Sequence, residues 1–329
     1  MTHTKTLGVV GTLVWDRIIA RDGRSVPIEE WGGIGYALGA LSVALPPDWK
    51  ILPILKVGRD MSEDAFRFLA EIPRIDDSAV VIVPEDNNRV ELRYVDDARR
   101  FERLTGGVPP WTWPELAPFA DLCDALYVNF ISGFEMTLET ARALRVGYTG
   151  PTYTDLHSLF LHMTHHGLRV PQTLDAWQGW LGCFDAVQMN EEEFSLLGGD
   201  GDGWALAASA IGPDLGLITV TLGERGAAYL ASADFEPSPM DWRREGRLPI
   251  STGALSGKVG SLEVAREGDP TGCGDVWGAS IFASLLSGLD LEAAMTRAND
   301  LAARNVEHRG ARGLHRHLSG QLSHVEEGK

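Results

Sequence analysis

Five short apolar runs set the strongest limit on what this chain can become: LGVVGTL (Leu7–Leu13), ILPILKV (Ile51–Val57), ALYVNF (Ala125–Phe130), DAVQM (Asp185–Met189) and LGLITVTL (Leu215–Leu222). None shows strict polar–apolar alternation, which is the mark of strands covered on both faces. Between them, GYALGALSVAL (Gly35–Leu45), EDAFRFLAEI (Glu63–Ile72) and TLETARALRV (Thr137–Val146) space their apolar residues near the helical period. Strands alternating with helices predict a mostly parallel sheet with helices on both faces, a three-layer α/β/α fold. The 329 residues are read as one domain, 1–329, long enough to bury about three quarters of the unfolded surface.

Two stretches break the alternation. Trp15–Ile28 follows the first strand without a helical pattern. Ser78–Val95 reads as two strands joined by a turn at Glu85–Asn88. Residues of about 15–31 and 78–95 are therefore expected to form a small β-sheet lid. Ala233–Leu262 is rich in Gly, Pro and Ser and is expected to hold short strands and loops. The polar tail after about Leu314 is expected to fray.

With Lys+Arg 29 against Asp+Glu 46, the net charge is −17. Nucleic acids and anionic membranes need clustered basic residues, so both are poor partners. A small anionic ligand remains compatible, because local donors and a divalent metal override the overall field. Cys123, Cys183 and Cys273 stand far apart and show no disulfide or zinc spacing, which suits a reducing cytoplasm. The apolar run near the N-terminus is too short for a membrane span and lacks a cleavage site.

The segment Leu262–Gly288, LEVAREGDPTGCGDVWGASIFASLLSG, carries the chemistry. Its first part is polar and extended. From Cys273 onward Val276, Ile281, Leu285 and Leu286 fall at helical spacing. Gly272 and Gly274 stand where that helix begins, so a ligand can approach the backbone. A first helical turn has unpaired N–H groups and partial positive charge, an anion site without lysine. Asp275 follows inside that turn. A carboxylate there repels a phosphate, but it suits a general base for an incoming hydroxyl. The plainer reading is an acidic residue complementing a helix start beside a glycine turn.

DPTGCGDVWGASIFASLLSG resembles the C-terminal signature of the ribokinase-like (PfkB) carbohydrate kinases. The resemblance implies that Gly272, Cys273 and Gly274 form an anion hole and Asp275 is the catalytic base, with Cys273 a small buried residue rather than a reactive thiol. It continues in chain order. GTLVWDRI places Asp16 where the family binds substrate hydroxyls. WGGIGYALG supplies Gly32 and Gly33 beside the substrate. LKVGRDMSEDAF resembles the Val-Gly-x-Asp segment, with Asp60 as a loop or cap residue. NEEEF resembles the Asn-x-x-Glu motif, implying that Asn190 and Glu193 organise Mg²⁺ and phosphates, Glu193 through water. A helix cap with an acidic first turn fits the same residues. VTLGERGAAYL puts Thr221, Gly223 and Gly226 near the nucleotide, and ANDLAARNVEHRGA puts Asn299 at the adenine side. The implied activity is ATP- and Mg²⁺-dependent phosphorylation of a sugar, cyclitol or nucleoside alcohol. A silent binding protein of the same fold is the alternative. The resemblance also implies a homodimer through the lid, although Glu91, Arg93, Asp96 and Asp97 suit a solvated edge.

The departures are Ala37 where the family has a substrate-binding Asn, and His157 and Leu159 where it has Asn and Arg. Other patterns carry less. GALSGKV (Gly253–Val259) has too few residues between its glycines for a phosphate loop, and Val259 replaces the needed Ser or Thr. GGIGYALG lacks dinucleotide spacing. HSLFLHMTHH could set His162 and His166 on one helical face as zinc ligands, though no Glu stands between them. Trp15, Trp31, Trp111 and Trp113 are read as packing, with Trp15 and Trp31 nearest the substrate segments.

Overall fold

The computed structural model describes residues 4–19, 27–94, 100–198, 202–243, 253–261 and 268–321. In chain order its strands are β1 (Lys5–Val10), β2 (Leu13–Ile19), β3 (Ile28–Gly33), β4 (Trp49–Gly58), β5 (Val80–Val83), β6 (Arg89–Tyr94), β7 (Arg100–Thr105) and β8 (Ala125–Asn129). They continue with β9 (Thr152–Asp155), β10 (Leu161–Met163), β11 (Leu168–Pro171), β12 (Ala186–Asn190), β13 (Leu217–Thr221), β14 (Ala227–Ser232) and β15 (Ala254–Val259).

Nine strands form the main sheet in the order β15-β14-β13-β12-β9-β8-β1-β4-β5. From β13 to β5 every pairing is parallel, and β14 and β15 close one edge antiparallel. All five apolar runs lie in this sheet. Successive residues divide between two cores: Ala125 and Tyr127 of β8 pack on one face, Leu126 and Val128 on the other. That period-two division within continuous apolar runs is what a strand covered on both faces requires. One core is closed by helices Ile34–Ala44, Ser62–Ala70, Cys273–Leu286 and Leu291–Asn305. The opposite core is closed by Trp113–Ala120, Leu138–Gly147 and Trp177–Leu181. The three-layer α/β/α arrangement with a mostly parallel sheet is thus as expected.

A second sheet runs β10-β11-β7-β6-β2-β3. Here the expected lid is partly redrawn. Trp15–Trp31 contributes β2 and β3 as an antiparallel pair, and residues 20–26 lie outside the described part. Ser78–Val95 is not a lid hairpin. β5 leaves the lid and joins the main sheet parallel to β4, while β6 pairs with β2 and β7. The break falls at Asn87, whose buried side chain accepts from the Gly58 amide at 3.1 Å and donates to the Leu13 carbonyl at 3.2 Å. Those bonds turn the chain from one sheet to the other, where a hairpin turn was expected.

The lid also takes a hairpin from the histidine-rich segment. His157–Phe160 is a short 3₁₀ turn, followed by β10 and β11. His162 and His166 therefore share no helical face, and the zinc reading falls. Arg169 of β11 ties this hairpin inward, donating to Glu102 at 2.7 Å and to the Ile131 carbonyl at 3.2 Å. Gly253–Val259 is strand rather than phosphate loop. Asp96 and Asp97 lie outside the described residues. The expected frayed tail is corrected at its start, where Leu314–Leu318 is helical with Leu314 and Leu318 buried and Gly39 leaves room for Leu314; residues 322–329 lie outside the described part. Among the described residues no helix is long and apolar enough to cross a membrane.

Candidate active site

Parallel strands bring their carboxyl ends to one edge, and ligands of open α/β sheets gather there. Asn129 ends β8, Asp155 ends β9, Asn190 ends β12 and Thr221 ends β13. The register sets Asn129 beside Asp155 and Asn190 beside Thr221. The DPTGCGD segment runs over this edge.

Gly272 caps the helix Cys273–Leu286 in the left-handed region, φ 78°. The conformation and the space both demand glycine: a Cβ would stand 2.3 Å from the Tyr36 ring. Gly274 is exposed, and a Cβ there would meet nothing within 4 Å, so its backbone faces open space. The Cys273 amide already donates to the Pro270 carbonyl at 3.1 Å. Of the three amides expected to meet an anion, that of Cys273 is therefore already engaged. Burial pushes the Cys273 thiol up to about 11, and Asn305 donates to its sulfur at 3.4 Å. Both features suit the small packing residue expected there.

The Asp275 carboxylate accepts from Asn129 Nδ2 at 2.7 Å. Gln188 bridges neighbouring groups, donating to Asp155 Oδ2 at 2.9 Å and to the Gly274 carbonyl at 3.0 Å. Asn129 and Gln188 were missed in the sequence, although a polar residue at the end of a buried run such as ALYVNF is the available signal. Burial drives the Asp155 carboxyl well above the carboxylate range, and the charges of Glu193 and Asp275 add to this.

Asn190 and Glu193 form a capping box. Asn190 Oδ1 accepts from the Glu193 amide at 2.9 Å, and Glu193 Oε2 accepts from the Asn190 amide at 2.8 Å. Glu193 Oε1 also receives Asn190 Nδ2 at 2.6 Å and His157 Nδ1 at 3.2 Å. Both oxygens are thus engaged, and no group of three or more potential ligands gathers among the described residues. This donor set does not fit direct metal ligation. It fits a hydrated ion carried mainly by phosphates, reached by Glu193 through water.

His157 takes the place of the family's Asn with φ 29°, an uncommon value for a side-chain-bearing residue. Burial opposes its charge. The bond to Glu193 and the charges of Glu193, Asp155 and Asp275 outweigh this and lift it from 6.5 to about 9. A raised folded-state value means that the pairing stabilises the fold fully below about pH 6.5 and is lost as pH rises through about 9. NMR titration of the His157 ring should show a midpoint near 9 that falls back in Glu193→Gln. A midpoint near 6.5 in the parent would contradict the pairing.

On the lid side, Asp16 is 4% exposed and its carboxylate crowds Gly32, where a Cβ would lie 1.8 Å from Oδ2. Gly32 is therefore first of all room for Asp16. Gly33, at φ 58°, turns the chain into the helix Ile34–Ala44. Ala37 is fully buried in the core, and Leu159 packs against the opposite core. Neither side chain carries a hydrogen-bonding group to replace the family's polar residues. Trp31 is fully buried and meets Trp15 edge-on at 5.3 Å, and Trp111 packs on Phe119.

On the nucleotide side Gly223 faces open space, and Gly226 packs on the Val259 carbonyl. Asn299 accepts from Trp277 Nε1 at 2.7 Å and donates to the Gly260 carbonyl at 2.9 Å. Its amide is used at both ends in holding the end of β15. It holds that wall in place, and its amide oxygen keeps a second lone pair.

The Asp275 carboxylate thus stands at a glycine-lined helix start, above the carboxyl edge of a mostly parallel sheet. The pfkB family carbohydrate kinase pattern matches residues 52–316, and the chain belongs to that family of carbohydrate and nucleoside kinases. No curated protein matches it. Among solved structures it is similar to a Burkholderia thailandensis nucleoside kinase in complex with inosine, at 16% identity, 93% of each chain covered and TM-score 0.68. A pyrophosphate-dependent kinase of the ribokinase family, complexed with a pyrophosphate analog and myo-inositol, shows 18% identity, TM-score 0.69, and covers 96% of this chain and 99% of its own. A putative ribokinase II from E. coli, in complex with ATP and Mg²⁺, shows 18% identity, 94% coverage of each chain and TM-score 0.69.

Proposed function

We propose that the protein transfers the terminal phosphoryl group of ATP to an alcohol of a small sugar, cyclitol or nucleoside. The observation that carries this reading is the Asp275 carboxylate, held by Asn129 at 2.7 Å beside the open backbone of Gly274. Asp275 accepts the hydroxyl proton as the acceptor oxygen forms its bond to the γ-phosphorus. The bond from that phosphorus to the β–γ bridging oxygen breaks, and ADP leaves with the electron pair. Backbone amides at Gly272 and Gly274 stabilise charge on the transferred group. Asp16 and the backbone at Gly32–Gly33 hold the acceptor.

Thr221, Gly223 and Gly226 border the donor, and Asn299 fixes the strand end beside them. Mg²⁺, when bound with ATP, neutralises phosphate charge, and Asn190 and Glu193 hold it through water. The lid sheet excludes water over the acceptor. It is also the face we propose for pairing two copies, with Phe101 exposed upon it. The free cysteines suit a cytoplasmic protein.

The test is incubation with ATP and Mg²⁺ across ribose, fructose, myo-inositol, inosine and adenosine, with product read by mass spectrometry. At least one phosphate ester should form and should vanish on chelation of the metal. Tight binding of an acceptor with no product from any of them would replace the reading by that of a silent binding protein.

A further inference from the structure

The family's substrate-binding Asn is absent, because Ala37 faces the core. Its neighbour Tyr36 presents a different group. Tyr36 is 2% exposed and its ring lies on Gly272. No hydrogen bond to its hydroxyl is found among the described residues, and its oxygen is not one of the sealed, unpartnered polar atoms, so the hydroxyl borders open space where a ligand can meet it. A phenol whose ring is packed and whose oxygen stays reachable can donate to a bound hydroxyl. Burial first, and then the charges of Asp16, Glu30, Asp269 and Asp275, push this phenol far above the ordinary range.

Glu30 adds a second observation. The β2–β3 register sets Asp16 directly opposite Glu30. Like charges at facing positions destabilise a strand pair. Nor is Glu30 spread into water: its carboxyl group crowds Gly310, where a Cβ would lie 1.8 Å from it. Burial, and next the charge of Asp269, push Glu30 up to about 7, while Arg312 acts in the opposite direction. Acidic groups kept together beside an unpartnered phenol match a ligand that brings several hydroxyl groups. Each carboxylate can accept from one hydroxyl, and the Tyr36 O–H can donate to another.

We propose that Tyr36 and Glu30 complete the acceptor site with Asp16, and that they select an uncharged polyhydroxyl acceptor over one phosphorylated at that end. A phosphate placed among these carboxyl groups would be repelled, whereas ring or ribose hydroxyls would satisfy them. The word acceptor rests on the phosphotransferase reading; the binding preference stands without it.

Calorimetric titration of the full chain with ribose, myo-inositol and inosine, and with ribose 5-phosphate, myo-inositol 1-phosphate and inosine monophosphate, tests this directly. At least one neutral compound should bind, and its phosphate ester should bind more weakly. Tyr36→Phe keeps the ring on Gly272 and should weaken the neutral compound about fivefold. Glu30→Gln should weaken it about tenfold. Neither should change the affinity for ATP. The proposal is overturned if no neutral compound binds, if the phosphate ester binds as tightly, or if both variants, folded by circular dichroism, retain the parent affinity. Binding with this pattern but no phosphorylated product would support the site and remove only the kinase reading.

Discussion

Asp275→Asn is expected to lower turnover by about 10²–10⁴-fold, the usual worth of a positioned general base, with ATP affinity unchanged. The substitution keeps shape and removes the basic oxygen pair. Asn129 Nδ2 donates to Asp275 Oδ1 at 2.7 Å, and an asparagine at 275 can turn its carbonyl oxygen to the same donor. The helix start should therefore survive, and the thermal midpoint should stay near that of the parent. Asn129→Ala removes the orienting donor but leaves the base, so its loss should be smaller and should fall on turnover rather than on ATP affinity. Phosphorylated product is the readout, taken with whichever acceptor the parent uses. A fully active Asp275→Asn would remove Asp275 as base, whatever its effect on stability.

The main sheet was legible because strands buried on both faces must be apolar throughout, and the five runs are. The helix start at Cys273 was legible for a related reason, since Val276, Ile281, Leu285 and Leu286 fall at helical spacing directly after the polar glycine turn. The lid was harder to read. Val80–Val83, VVIV, is apolar throughout like the main-sheet strands, whereas Arg89–Tyr94, RVELRY, alternates; reading both as one hairpin passed over that difference, and Asn87, bonded to Gly58 and Leu13, marks the break. The histidine-rich strand pair hid because β10 and β11 are short and polar-facing, with Thr164 and Gly167 at their turn. Within the site, residues that act through long-range contact escaped: Asn129 and Asp275 lie 146 positions apart. No local pattern records such a pairing. The second demand on Gly32, room for Asp16, was hidden for the same reason, since that carboxylate comes from the facing strand.

Gly272→Ala and Gly274→Ala should separate the scaffold from the chemistry. At Gly272 a methyl group meets two penalties. The left-handed backbone, φ 78°, costs a side-chain-bearing residue about 1–2 kcal/mol. The added carbon would also lie 2.3–2.7 Å from three carbons of the Tyr36 ring, which is buried and has little room to yield. Forcing extra volume into such a place costs about 1–3 kcal/mol more. The backbone must shift, and a displacement near 1 Å at a reacting centre costs about 10²-fold in rate. Gly272→Ala should thus lose about 10²-fold in activity and melt several degrees lower, at roughly 2–4 °C per kcal/mol. At Gly274 nothing stands within 4 Å of the new methyl, and the position is helical. Alanine there should hold or raise stability, because it is the better helix former. If the transferred phosphoryl group docks against that amide, the same methyl will obstruct it and activity will fall by at least tenfold. Differential scanning calorimetry beside the product assay measures both quantities. A Gly274→Ala enzyme that is stable and fully active would move the phosphoryl site away from this turn, while one that is stable and crippled would place it there.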